Sequence, residues 1–174
     1  MFTKISRVLS ALLIAGILLG SVTFPTGVRA DSVITVTTAD DELNTDGDCS
    51  LREAIQAANT NAAVDACTAG TGADTITVPA GTYTLTIAGA GENANATGDL
   101  DITDSVTIIG AGADTTTIQA GTDATNGIDR VFHIVSGITV SISDLAIANG
   151  KCSMGCFYGG GIHNSGTLTI TNTT

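Results

Sequence analysis

Between residues 42 and 53 the chain places oxygen-bearing side chains at a spacing that suits a hard cation. Glu42, Asn44, Asp46, Gly47 and Glu53 fall at positions 1, 3, 5, 6 and 12 of the calcium-loop pattern D-x-[DN]-x-[DN]-G-x5-E, with Glu replacing Asp at position 1. Asp48 adds a carboxylate within the same loop. Ca²⁺ takes about six to eight oxygens, needs a glycine at the bend, and closes its shell on a bidentate carboxylate, here Glu53. A second reading uses the same residues without a metal. In it Glu53 caps a helix, and Cys49 stands where a calcium loop usually packs an apolar side chain. Both readings are open from the sequence.

Other chemistry-bearing residues are sparse. His133 and His163 lie 30 positions apart, so they become neighbours if the chain returns to the same place after that distance. Two histidines do not complete a metal shell, and each also reads as part of a strand surface. All 17 acidic residues fall at or after Asp31, whereas Lys4, Arg7 and Arg29 precede it. Only Arg52, Arg130 and Lys151 face that acidic excess. No basic patch exists to neutralise phosphates, which excludes nucleic acid and anionic membranes as partners. A polysaccharide lyase needs a strong base beside acidic ligands, and no acid–base constellation can be assembled from these spacings. "GAGAD" and "GGG" read as corner glycines, since neither a helix nor a lysine follows. Asn95 and Asn172 each begin a glycosylation sequon.

The first thirty residues carry Lys4 and Arg7, an apolar run over 8–20, and small residues before Asp31. This reads as a secretory signal peptide cut after Ala30. The apolar run is shorter than the ~20 residues that span a bilayer. Export favours disulfides among Cys49, Cys67, Cys152 and Cys156. Four cysteines allow three pairings, and proximity favours Cys49–Cys67 and Cys152–Cys156. A tetrahedral zinc site of all four competes, without the C-x2-C spacing of a zinc knuckle.

Positioning these residues needs elements of two kinds. Ser50 followed by Glu53 forms a capping box that opens a helix over 50–59, with Leu51, Ile55 and Ala58 on one face and Arg52 and Gln56 elsewhere. From Asp74 onward the chain is short Thr/Ile/Val runs of three to six residues, broken by Gly, Asn or Asp. "VSISD" from Val140 and "LTITN" from Leu168 match at an offset of 28, which Ile134 and Ile162 share. Allowing for an insertion at "KCSMGC", the repeat shortens to about 22 residues, in the range of stacked repeat architectures. Inward Ile, Val and Leu would form columns, with Thr outside. Asn149, Asn164 and Asn172 read equally as side-chain ladders or as ordinary turns. The main rival is a β-sandwich. The expected fold is therefore an all-β parallel β-helix (solenoid). The short N-terminal capping α-helix would cover the exposed edge of its first repeat.

Two strings carry a family resemblance. "DGDCSLREAIQAAN" (46–59) followed by "GADTITVPAGTYTL" (72–85) resembles the CSLREA domain of bacterial secreted proteins. "GGGIHNSGTLTITNTT" (159–174) resembles the repeats of polymorphic outer-membrane proteins, which implies a right-handed parallel β-helix of the pectin-lyase-like kind. The resemblance covers roughly 33–174. It implies export, an extracellular or outer-membrane-associated location on a bacterium, and a stalk or adhesin role without a defined catalytic site. The expected organisation is a signal peptide (1–30), a cap (31–73) and stacked strands (74–174) that read as the start of a longer series. Function is then non-enzymatic, with a surface glycan or protein as partner and Ca²⁺ as the one possible cofactor. The alternative is a polysaccharide-lyase-like enzyme whose catalytic repeats are missing or degenerate.

Overall fold

The computed structural model describes residues 31–152 and 159–174. The expected signal peptide and the Cys152–Cys156 pairing, through Cys156, fall outside them. The chain opens with β1 (Val33–Thr35), then α1 (Leu51–Thr60), β2 (Asp74–Val78), β3 (Gly81–Thr84) and β4 (Leu100–Ile102). There follow β5 (Val106–Gly110), β6 (Thr116–Gln119), β7 (Phe132–Ile134), β8 (Thr139–Ala148), β9 (Ile162–Asn164) and β10 (Thr167–Thr173).

Every pairing between these strands is parallel. One sheet of seven strands runs β1-β2-β5-β8-β6-β3, with β10 also on β8; a second of three runs β4-β7-β9. Alternation sets which residues go inward. Ile34, Ile76, Ile108, Ile142 and Ile170 are register partners in turn, one column across five strands. The first four are fully buried and Ile170, on β10, is half exposed. β-branched side chains suit this stacking, since each fits the pleat and meets its like on the next strand. Leu100–Phe132–Ile162 and Tyr83–Ile118–Ile147 form two further columns.

The all-β solenoid expectation is corrected here. The described residues have mixed α/β content, ten strands in two parallel sheets with one helix that belongs to the core. Leu51, Ala54, Ile55, Ala57 and Ala58 join the same buried cluster as the strand residues. The two strand series also merge, because β8 is ten residues long and serves both. Its first part pairs with β5 and its last part with β6. Asp144 lies between them at φ 58°, and this left-handed bend re-aims the strand without ending it. Asn172, at φ 49°, repeats the bend in β10 and donates from Nδ2 to Asp144 Oδ1 at 3.2 Å.

The repeat length is also corrected. Partner offsets range from 28 (Val140 with Leu168) to 42 (Val33 with Thr75, with α1 between them), longer than about 22. Ile162 pairs with Phe132 and not with Ile134, because the connecting loops differ in length. Of the three asparagines, two build ladders. Asn149 Nδ2 donates to Gln119 Oε1 (2.9 Å), and Gln119 Nε2 donates to Thr84 Oγ1 (2.8 Å). Asn172 joins Asp144 as described, while Asn164 makes a local turn by accepting from Gly166 N.

The helix forms for the expected reason and is held by an unexpected one. Ser50 Oγ accepts from Glu53 N, and Glu53 Oε2 accepts from Ser50 N. Asn61, left-handed at φ 52°, closes the other end. Cys49–Cys67 is a disulfide, as proximity favoured, with Cα atoms 4.9 Å apart. Arg52, placed away from the apolar face by the sequence, is 1% exposed. Its Nε and Nη2 donate to the Asp41 carboxylate at 2.6 and 3.2 Å. Nη1 and Nη2 also reach the carbonyls of Asn95, Asp99 and Gly98. Asp41 in turn accepts from the backbone of Thr86 and Ile87. One guanidinium thus ties helix, cap loop and the entry to β4 together.

A buried pair broken on one side leaves an uncompensated charge. Arg52→Met is expected to cost about 3–5 kcal/mol. It should appear in urea unfolding as a lower midpoint at unchanged slope. A loss below about 1 kcal/mol, the size of an exposed ion pair, would contradict this role.

Candidate functional site

The acidic loop folds against the start of α1. Thr37 Oγ1 accepts from Cys49 N, and Ser50 Oγ donates to Glu42 O, which draws 42–50 into a closed turn. Gly47 sits at φ 101°, a conformation that favours glycine. Ligand atoms of Glu42, Asp46 and Asp48 lie within 4.8 Å of one another, and so do those of Asp48, Glu53 and Asp65. The other members of the expected set have different work. Asn44 Nδ2 donates to Glu42 Oε2, and both Glu53 oxygens accept backbone N–H groups, from Asn44 and Ser50. Asp65 is the member the sequence pattern missed. It accepts from the N–H groups of Asp46 and Gly47, and the nearby disulfide joins its segment to Cys49. Its position two residues before Cys67 was the available signal.

Electrostatics in the loop follow from crowding. Burial, then the charges of Asp46 and Asp48, hold the Glu42 carboxyl above its usual range. Burial and Asp46 do the same to Asp48. The N–H of Gly47 holds Asp65 below its usual value. Glu42 Oε1 and Asp48 Oδ1 are both buried without a hydrogen-bond partner.

A second polar cluster sits on the three-stranded sheet. Asp101, His133 and His163 are register partners on β4, β7 and β9, one row across the sheet. His133 Nδ1 is 2.8 Å from Asp101 Oδ1, and the His163 ring stacks on His133 at 4.9 Å between centroids. The spacing of 30 residues therefore does bring the histidines together. What the sequence missed is their acidic company. Asp99 Oδ2 accepts from Arg130 Nε at 2.8 Å, a partner 31 positions away. Asp101 Oδ2 also accepts from the buried Asn95 N. Lys151 donates from Nζ to the Thr125 carbonyl. Burial raises Asp101 to about 6, the His133 hydrogen bond opposing it, while the Asp99 charge adds to the rise. Burial, then the charge of His133, lowers His163.

The Asp101 side chain beside His133 is fully enclosed. A polymer substrate has no path to it. A cleft of about 140 Å³ between α1 and residues 93, 94 and 103 is lined by Gln56, Asn59 and Thr60. It is smaller than the roughly 300–1,000 Å³ of ordinary ligand pockets. No helix among the described residues is long and apolar enough to cross a membrane.

No family model, no curated protein and no solved structure matches this chain.

The Asp101 shift has a definite consequence for stability. Its folded pKa, about 6, exceeds the ordinary 3.8, so the folded state holds its proton more tightly. The stability it contributes is complete below about pH 4 and is lost as pH rises through about 6. Unfolding measured in a chelator between those values should show this decline, and Asp101→Asn should remove it. An Asp101→Asn protein with the same decline would contradict the assignment.

Proposed function

We propose that this chain is a non-enzymatic secreted or cell-surface module that binds a neutral surface glycan across a flat face. One observation carries the reading. The outward side of the large sheet has hydroxyls in register: Thr75, Thr107, Ser141 and Thr169 form one row. Thr35, Thr77, Ser143 and Thr171 belong to a second, interrupted by Ile109. Strands repeat about every 4.8 Å, so the face offers a regular lattice of groups that both donate and accept. A polymer of repeating hydroxyl-bearing units is the complementary partner. The formal charge of −11 disfavours an anionic one. The leader-like first thirty residues and the CSLREA-like string support export. Against the enzyme reading stands the enclosure of Asp101, whose carboxyl burial raises to about 6.

The purified protein is expected to be retained on insoluble neutral polysaccharides such as cellulose or chitin and to release no sugar. Replacing Thr107, Ser141 and Thr169 together by Val keeps the shape and removes the row, so retention should fall. Unchanged retention in that variant, or sugar ends released with time, would contradict the reading.

The same reading gives the cap loop a Ca²⁺ ion. The donors there are all oxygens, as Ca²⁺ prefers, and the unpartnered oxygens of Glu42 and Asp48 fit a ligand role. Glu42, Asp46 and Asp48 would hold the ion with Asp65, while Asn44 and Glu53 shape the loop. Calorimetry should record a heat of Ca²⁺ binding that disappears in Glu42→Ala with Asp46→Ala. No heat with the unaltered protein would rule the ion out.

A further inference from the structure

The small sheet encloses more negative charge than its own cations balance. Asp99, Asp101 and Asp129 are at most 2% exposed. Arg130 meets Asp99, while Arg52 is already matched by Asp41. Carboxylates resist such burial unless a cation or a proton accompanies them. Backbone donors supply part of the answer, since Asn95 N donates to Asp101 Oδ2 and Arg130 N to Asp129 Oδ1.

Geometry supplies the rest. One ligand atom each from Asp99, Asp101 and His133 lies within 4.8 Å of the others. The 2.8 Å between Asp101 Oδ1 and His133 Nδ1 is a hydrogen bond, and an ion bound tetrahedrally at about 2.0–2.2 Å would part the two atoms to about 3.4 Å. Asp99 gives one oxygen to Arg130, leaving its other oxygen for a ligand. Asp129 is an independent sign. It is 2% exposed and its Oδ2 has no hydrogen-bond partner. That oxygen lies against Gly98, where an added Cβ would come within 3.0 Å of it, so it stands beside the residue that precedes Asp99.

We infer that Asp99, Asp101 and His133 bind a divalent transition-metal ion of the Zn²⁺ class, with Asp129 beside them as a further carboxylate. The imidazole nitrogen separates this site from the all-oxygen cap loop, because a mixed nitrogen and oxygen set suits zinc-like ions and a pure oxygen set suits Ca²⁺. The ion sits between Asp101 and His133. It cross-links β4 to β7, and the stacked His163 ring covers one face of the His133 ligand. The inference stands independently of the glycan and Ca²⁺ readings.

Co²⁺, whose visible bands report its ligands, is the direct probe on chelator-stripped protein. One equivalent should bind, yield to Zn²⁺, and resist excess Ca²⁺. His133→Gln and Asp101→Asn should each weaken binding by at least about tenfold, the scale that even an outer-sphere change costs. Glu42→Ala with Asp46→Ala should leave it unchanged. Should the first two variants fail to fold, imidazole ¹⁵N spectra of the unaltered protein serve instead, with Zn²⁺ shifting His133 Nδ1. The inference is overturned by absent Co²⁺ binding or by an unmoved His133 nitrogen. It is equally overturned by binding that survives in folded His133→Gln, or that is lost with the cap-loop pair.

Discussion

The register of the isoleucine column fixes nearly everything else in this molecule. Ile34, Ile76, Ile108 and Ile142 stack on successive parallel strands, each fully buried, and each burial contributes roughly 1.5–3 kcal/mol. A slip of one residue would turn the column outward and the hydroxyls inward. With the column set, Thr75, Thr107, Ser141 and Thr169 must align on the opposite side of the same strands. On the neighbouring sheet, the alignment of Leu100 with Phe132 obliges Asp101 to meet His133. Apolar packing therefore decides where the polar chemistry sits.

The cap uses a different kind of bond for a related purpose. A parallel stack leaves its first strand with one side uncovered, and α1 covers the core next to β1, β2 and β4. Ten residues of helix bury too little to hold that place alone. The disulfide fixes the N-terminal end of the helix segment, and Asn59 fixes the other, donating to the Asp101 carbonyl and accepting from Thr103 N. Arg52, in the first turn, connects the helix to Asp41 and to three carbonyls before β4. Gly98 is needed at that junction, since a Cβ there would lie 2.4 Å from the Gly89 carbonyl oxygen.

Local features were legible in the sequence, and features made by the return of the chain were not. The Ser50–Glu53 box, the alternation in β2 and β5, and the Cys49–Cys67 pairing each depend on residues close in sequence. The 28-residue echo correctly paired Val140 with Leu168, both in strands that begin after similar turns. It failed for Ile134 and Ile162 because the intervening loops are of unequal length. The left-handed bend at Asp144 leaves no local signal of its own, because an aspartate tolerates it and β8 continues through it. Arg52 hid because its partners, Asp41 and the 95–99 carbonyls, come from separate segments. Asp101, Asp99 and Arg130 hid for the same reason, since none is near its partner in sequence.

A buried polar row beside an apolar column needs both to be in the stated register, and the column can be observed directly. Methyl NOE spectra of protein labelled only at isoleucine Cδ1 would report which of these side chains touch. The register predicts cross-peaks in the order Ile34–Ile76–Ile108–Ile142–Ile170, continuous across all five strands. A break between Ile108 and Ile142, with Ile109 taking the contact instead, would contradict it and remove the basis for the rows on both faces.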